Sequence, residues 1–319
     1  EQDTNVDQVV SVRAGKFRRY HGAGWRHFLY IKTLYKNLRD AVWMVTGLWQ
    51  SFWLLGRLKP DVIFTRGSFV SVQVCLAAAL RGIPYITHDS DAIPSLTNRI
   101  IARWARVHAV ALPKELYPGY PQDKTVTVGV PISHHFRPVP AAEMRAWRTQ
   151  LGLEKARRVL FVTGGGQGAD KLNKAVLGIV PELLGRYPDL MIVHLTGRNL
   201  EGDVRRRYKQ VLSPEEQDRV IIKGFVINLY QYSGAADVVV TRAGMSSLAE
   251  FAAQAKPCVV VPAPHLTGGH QLKNARALYD RKAIRLVNEA VLKDDPRALM
   301  PALTDLFDHP EKARTLGAR

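Results

Sequence analysis

The chain has 319 residues, 46% of them hydrophobic and 23% charged, a globular composition at a length beyond what one compact core usually serves, so two domains are expected. Its 45 Lys and Arg against 28 Asp and Glu give a net charge of +17, a field that favours phosphates or anionic headgroups; no basic module interleaved with stacking aromatics accompanies it, which sets nucleic acid aside as a partner. No run reaches the ~18 uninterrupted apolar residues of a membrane span, and Cys75 and Cys258 lie far apart in apolar runs, reading as buried thiols in a reducing compartment.

In chain order, the stretch 25–57 comes first, with Trp25, Tyr30, Tyr35, Trp43, Trp49 and Trp53 among basic residues such as Arg26, Lys36 and Arg39. Such a stretch suits an anionic membrane surface, and equally a core helix with a solvated basic edge. Short β-branched runs follow at 61–68, 84–89, 158–166, 189–197, 219–225, 237–244 and 257–264, each leading through a Gly or polar turn into a helical stretch. Apolar strands alternating with helices predict a doubly wound α/β protein with parallel sheets buried on both faces. Prolines 131, 138 and 140 punctuate the series, placing a boundary near residue 138 between domains 1–138 and 139–319. A cleft at the strands' carboxyl ends is the expected ligand site.

The segment RVLFVTGGGQGADKLN (158–173) reads as a buried strand, a glycine turn and a helix beginning near Ala169. Such a turn lets backbone approach a pyrophosphate at a helix start, although a tight turn without a ligand has the same pattern. It is neither a Walker A loop, lacking Lys-Ser/Thr, nor a clean dinucleotide fingerprint. Farther on, DVVVTRAGMSSLAEF (237–251) is a strand, a turn and a helix carrying one acid, Glu250, whose two oxygens suit a ribose diol. Phe225 ends the run 219–225 and, taken by itself, reads as a core residue at a strand end.

These elements in this order resemble the MurG family of N-acetylglucosaminyl transferases. TGGGQGADKLN is similar to that family's GGSQGA loop, with Gly166 in place of the usual serine. The resemblance implies that the amides of Gly165, Gly166, Gln167, Gly168 and Ala169 hold the donor diphosphate. It assigns Glu250 to the ribose, Met245 and Ser246 to the donor sugar or phosphate, Phe225 and Val226 to uracil, and His270, Gln271 and Asn274 to the sugar hydroxyls. In the first half, TRGSFVS (65–71) looks like the family's second glycine loop, which puts Gly67, Ser68 and Phe69 on the acceptor side. ITHDSDAIPSLTNR (86–99) is similar to its HEQN loop, with His88 and Asn98 kept and Asp89 and Asp91 substituted.

Two departures accompany the match. Ser133 stands where the family has a phosphate-binding arginine, for which Arg242 or Arg137 could substitute, and the family's first glycine loop is absent, which reads as a chain cut short at both ends. The implied fold is GT-B, two Rossmann-like domains, and the implied reaction is inverting transfer of N-acetylglucosamine from UDP-GlcNAc to a lipid-linked muramyl-peptide acceptor in peptidoglycan synthesis. Fixed amides would stabilise the leaving diphosphate. With no Asp-x-Asp pair at a strand end, no catalytic metal or other cofactor is expected. His88, Asp89 and Asp91 are the base candidates in this chain, ranked below a histidine of the absent loop. The resemblance also implies a peripheral enzyme on the cytoplasmic face of the bacterial membrane, beside other cell-wall synthesis proteins. Competing expectations are a diacylglycerol glycosyltransferase, a hydrolysing epimerase and a non-catalytic sugar-nucleotide or lipid-binding homologue.

Overall fold

The structure, a computed structural model, describes residues 6–15, 31–166, 168–264 and 269–319, with the backbone alone for 31–36. Trp25, Tyr30, Arg26 and Gln167 lie outside the described residues. Internal contacts divide the chain into two units, Glu1–Gly129 and Val130–Arg319, so the prolines at 131, 138 and 140 all belong to the second.

The first unit opens with the helix α1 (Ile31–Leu58), followed by β1 (Ile63–Thr65), α2 (Ser71–Leu80), β2 (Tyr85–Asp89), α3 (Leu96–Ile101), β3 (Val107–Val110) and β4 (Thr125–Thr127). The strands form a parallel sheet in the order β1-β2-β3-β4. Helix α1 is two-sided: Leu55 is buried, with Met44, Leu48 and Phe52 packed against the core of Val72, Cys75 and Ile101. Val42, Val45, Trp49 and Trp53 recur at three- and four-residue spacing on the other side and stay exposed, Trp49 at 66% and Trp53 at 61%. The core-helix expectation thus describes one face of the helix, and the other face leaves its aromatics exposed. No helix among the described residues is long and apolar enough to cross a membrane.

The second unit runs α4 (Ala141–Gln150), β5 (Arg158–Thr163), α5 (Asp170–Arg186), β6 (Leu190–Leu195), α6 (Glu201–Val211), α7 (Pro214–Gln217), β7 (Val220–Lys223), α8 (Leu229–Ala235), β8 (Val238–Thr241), α9 (Met245–Ala253), β9 (Cys258–Val260), α10 (His270–Tyr279), β10 (Arg285–Leu286), α11 (Glu289–Asp294), α12 (Met300–Asp308) and α13 (Pro310–Gly317). Its six strands are all parallel, in the order β10-β9-β8-β5-β6-β7. Leu160 and Val162 of β5 meet Leu172, Val176, Ile179 and Leu183 of α5 in a core that extends to Leu303 and Phe307 of α12. Each fully buried aliphatic side chain of this kind contributes about 1.5–3 kcal/mol before the entropy cost of ordering the chain. Both sheets are covered by helices, as the continuous apolar strands predict. Cys75 and Cys258 are buried and free, and burial raises each thiol to about 12, as inert core residues require.

Candidate active site

In the second sheet β5, β6 and β7 are laid down in one direction, after which the chain crosses back to place β8 on the other side of β5. The gap between β5 and β8 is therefore the point where loops diverge, and there a doubly wound sheet receives its ligand. The strand ends are level: Thr163 pairs with Thr241 on one side and Leu195 on the other, and Leu195 with Lys223. Register alone gathers the glycine loop, the turn after β6, Phe225 and the start of α9 along one edge.

The glycine loop is tightly built. Gly168 has φ +77°, and a Cβ there would lie 2.2 Å from the Thr196 carbonyl oxygen, so only glycine lets the loop lie against the turn after β6. The Gly168 amide donates to the Gly165 carbonyl at 2.9 Å and the Gly165 amide to Thr163 Oγ1 at 3.2 Å. These two amides are therefore spent inside the loop, which corrects the expectation that all from 165 to 169 face a diphosphate. Gly166, by contrast, borders open space, and Ala169 caps α5 with no side-chain bond, leaving the first-turn amides to a ligand. Beneath the loop, Asn173 donates to the Thr196 carbonyl at 3.0 Å, and His194 bridges Asn173 at 3.0 Å and Tyr208 at 2.9 Å. Complete burial lowers His194 to about 3, so it stays neutral in this network.

Glu250 sits half-buried on α9, one strand away, with no hydrogen bond or ion pair among the described residues. Desolvation raises its pKa. Phe225 is 45% exposed at the end of β7, which excludes the core reading, and the Arg198 guanidinium lies 4.1 Å from its ring centre. Val226 is half-buried beside it, and Ser246 is exposed in the first turn of α9. Met245 is buried at 7% exposure, so its side chain belongs to the core and only its backbone reaches the edge.

Of the residues on α10, His270 is half-buried in the first turn. Gln271 accepts the Ala263 amide at 3.0 Å, and Asn274, fully buried, donates to the Ala243 carbonyl at 3.2 Å. Asn274 thus ties α10 to the turn before α9, where a sugar cannot reach it. Arg242 is 8% exposed and committed to Glu289 at 2.5 Å and the Val261 carbonyl at 3.1 Å, while Lys171 reaches the same carboxylate at 3.3 Å. Arg137 pairs with Glu143 at 3.0 Å. Arg242, held in its buried pair with Glu289, is not at liberty to replace an arginine at position 133. A cavity of about 680 Å³, bordered by Val139, Met144, Arg158, Asp189, Asp237 and Lys256, lies at the amino ends of the strands, the opposite end from the glycine loop and Phe225.

The first unit treats its candidate residues differently. His88 is 1% exposed, and its Nε2 must carry a hydrogen, since it lies 2.9 Å from the Gly129 carbonyl, which only accepts. Asp89 is 3% exposed and accepts the Ser95 amide at 2.8 Å on one oxygen and the Tyr120 hydroxyl at 2.7 Å on the other. Both were base candidates, and both are instead sealed braces of the loop after β2. Asn98 is fully buried and donates to the His88 carbonyl at 3.0 Å, which removes it from direct acceptor contact. Asp91 is half-buried. Ser68 and Phe69 are exposed on the turn into α2, where Gly67, at φ +80°, keeps room for Ser95 and Asn98. Arg66 joins this turn to the next loop through Ser90 at 3.1 Å.

Two parallel α/β units, the second with a glycine turn and a half-buried carboxylate at its switch point, have the architecture of GT-B glycosyltransferases. The chain belongs to glycosyltransferase family 28: the family's C-terminal domain matches residues 159–318 and its N-terminal domain residues 27–110. It is 35% identical over 289 residues to the UDP-N-acetylglucosamine--N-acetylmuramyl-(pentapeptide) pyrophosphoryl-undecaprenol N-acetylglucosamine transferase of Moorella thermoacetica, covering 90% of this chain and 76% of that protein. The enzyme of the same name from Bacillus subtilis is 28% identical, with 83% and 70% covered. Among solved structures, Acinetobacter baumannii MurG superposes with a TM-score of 0.62 at 24% identity over 86% of this chain and 72% of that one. The Staphylococcus aureus MnaA complex with UDP reaches 0.61 at 13% identity over 86% and 74%.

Proposed function

We propose that this chain is an inverting glycosyltransferase that moves N-acetylglucosamine from UDP-GlcNAc to the muramyl sugar of an undecaprenyl-diphosphate-linked peptide precursor in peptidoglycan synthesis. The observation that carries this reading is the switch point of the second unit, where the Gly166 turn and the uncapped start of α5 lie one strand from an unpartnered, half-buried Glu250. A dianionic diphosphate fits the amides, and a ribose diol fits the carboxylate.

The acceptor hydroxyl attacks the anomeric carbon from the face opposite the leaving group. The bond to the diphosphate oxygen breaks, its electrons leave with UDP, and the hydroxyl proton passes to a base. Negative charge grows on the departing diphosphate, where the fixed amides and the α5 dipole stabilise it most in the transition state. Of the base candidates named from this chain, Asp91 is half-buried, whereas His88 and Asp89 are buried. The exposed Trp49–Trp53 face of α1, with Arg39 stacked on Trp43 at 4.4 Å, supports peripheral attachment to an anionic bilayer, on the cytoplasmic face where the nucleotide donor resides.

Calorimetric titration with UDP-GlcNAc, UDP-glucose and GDP-mannose tests this function. UDP-GlcNAc binds tightest, and Glu250→Ala weakens it roughly 100-fold, the loss of two hydrogen bonds to a charged acceptor at about 1.5 kcal/mol each. Because burial raises the Glu250 pKa, the affinity falls as pH drops through that raised value and the carboxylate protonates; stability runs the other way, since the cost of the buried charge vanishes on protonation. No binding to any uridine nucleotide refutes the assignment.

A further inference from the structure

The donor edge has a deficit of charge. Ser133 brings no cation, Arg242 is buried against Glu289, and Arg137 pairs with Glu143 next to Val139 and Met144, which border the cavity at the strands' amino ends. Arg198 remains. It follows Gly197 in the turn after β6, and it is exposed, without a carboxylate partner among the described residues. Its guanidinium is instead parked over the exposed face of Phe225 at 4.1 Å. The backbone beside it is the wall of the glycine loop, since a Cβ on Gly168 would touch the Thr196 carbonyl at 2.2 Å and the Gly197 Cα at 2.9 Å. With adjacent Cα atoms about 3.8 Å apart, the Arg198 Cα lies within about 7 Å of the point a Gly168 Cβ would occupy, so its long side chain can pass from that ring to a phosphate seated on the loop.

The geometry points to Arg198 as the donor-binding cation of this chain, exchanging the Phe225 ring for the nucleotide's diphosphate when the donor enters. This inference rests on the proposed donor site and names a residue within it. In the free protein the cation–π contact is weak because the ring is open to water, whereas a guanidinium on a diphosphate makes charge-assisted, bidentate hydrogen bonds. The exchange clears the Phe225 face for the base at the moment the charge moves to the leaving group.

The test compares UDP with uridine, which presents the same base and ribose without phosphate. Arg198→Ala is expected to weaken UDP at least roughly tenfold, the scale of a lost charge-assisted contact, while uridine affinity stays within a factor of about two. Arg198→Lys, which keeps the charge but not the fork, is expected to recover part of the UDP affinity. Equal losses for UDP and uridine, or no loss for either, overturn the inference, because Arg198 would then be a support for Phe225 or a bystander. A wild-type chain that binds neither compound fails the donor-site reading itself, and this inference falls with it. Thermal melts of both variants, expected to superpose on wild type because the side chain is exposed, separate binding from folding.

Discussion

Both units carry polar residues in the loops that end their parallel strands, yet they use them in opposite ways. In the first, His88, Asp89 and Asn98 turn inward and satisfy one another's neighbours, with Tyr120 and Ser95 closing the cluster around Asp89. In the second, Asn173, His194 and Tyr208 brace the backbone from below while Arg242 and Asn274 are spent as well, yet Gly166 and Phe225 stay open to solvent and Glu250 of α9 stays half-buried without a partner among the described residues. The lesson is one of layering. A binding loop stays presented when buried groups below it hold the backbone, and a loop whose own side chains do the bracing has none left for a ligand.

Three substitutions break or sharpen that contrast. Gly168→Ala has the largest expected effect: a Cβ 2.2 Å from the Thr196 oxygen at φ +77° destabilises the second unit by roughly 3 kcal/mol or more and takes UDP binding with it, both read from denaturant unfolding and titration. Asp89→Ala comes next. It strands the Ser95 amide and the Tyr120 hydroxyl in the interior, at a cost of about 2–4 kcal/mol in unfolding free energy; turnover by the folded fraction keeps its pH profile. Loss of rate at unchanged stability would instead restore Asp89 as a base and erase the distinction between the units. The smallest effect belongs to Gly166→Ser, which enters open space. Its unfolding midpoint stays within about 2 °C of wild type, and UDP binds roughly fivefold more tightly through one added hydroxyl contact. Weaker binding would show that the Gly166 turn does not face phosphate.

The class of fold was legible because parallel strands covered on both faces are continuous apolar runs, and all seven runs read from the sequence are strands. The strands that escaped, β3, β4 and β10, are two to four residues long, and β3 carries the buried polar His108, so no period or apolar run marks them. The glycine loop, Phe225 and Glu250 were singled out through a resemblance to a family pattern, and the structure brings them to one edge of the second sheet. Arg198 was not, because nothing in TGRN distinguishes a guanidinium over an aromatic ring from one in water. Glu289, which removes Arg242 from the site, is 47 residues away in sequence, and only the closing of the sheet brings them together.

The amino-acid sequence by itself determined the alternation of buried strands and helices, the glycines that must turn, and the residue types capable of meeting a nucleotide, because these depend on local sterics and hydrophobic pattern. The tertiary structure decided which polar side chains are exposed and which are spent. Hydrogen bonds such as those of Asp89, Asn98, Asn274 and Arg242 join segments distant along the chain, and a buried polar group takes the nearest partner that packing supplies. Chemistry at the edge of the sheet is left to the groups that packing does not use.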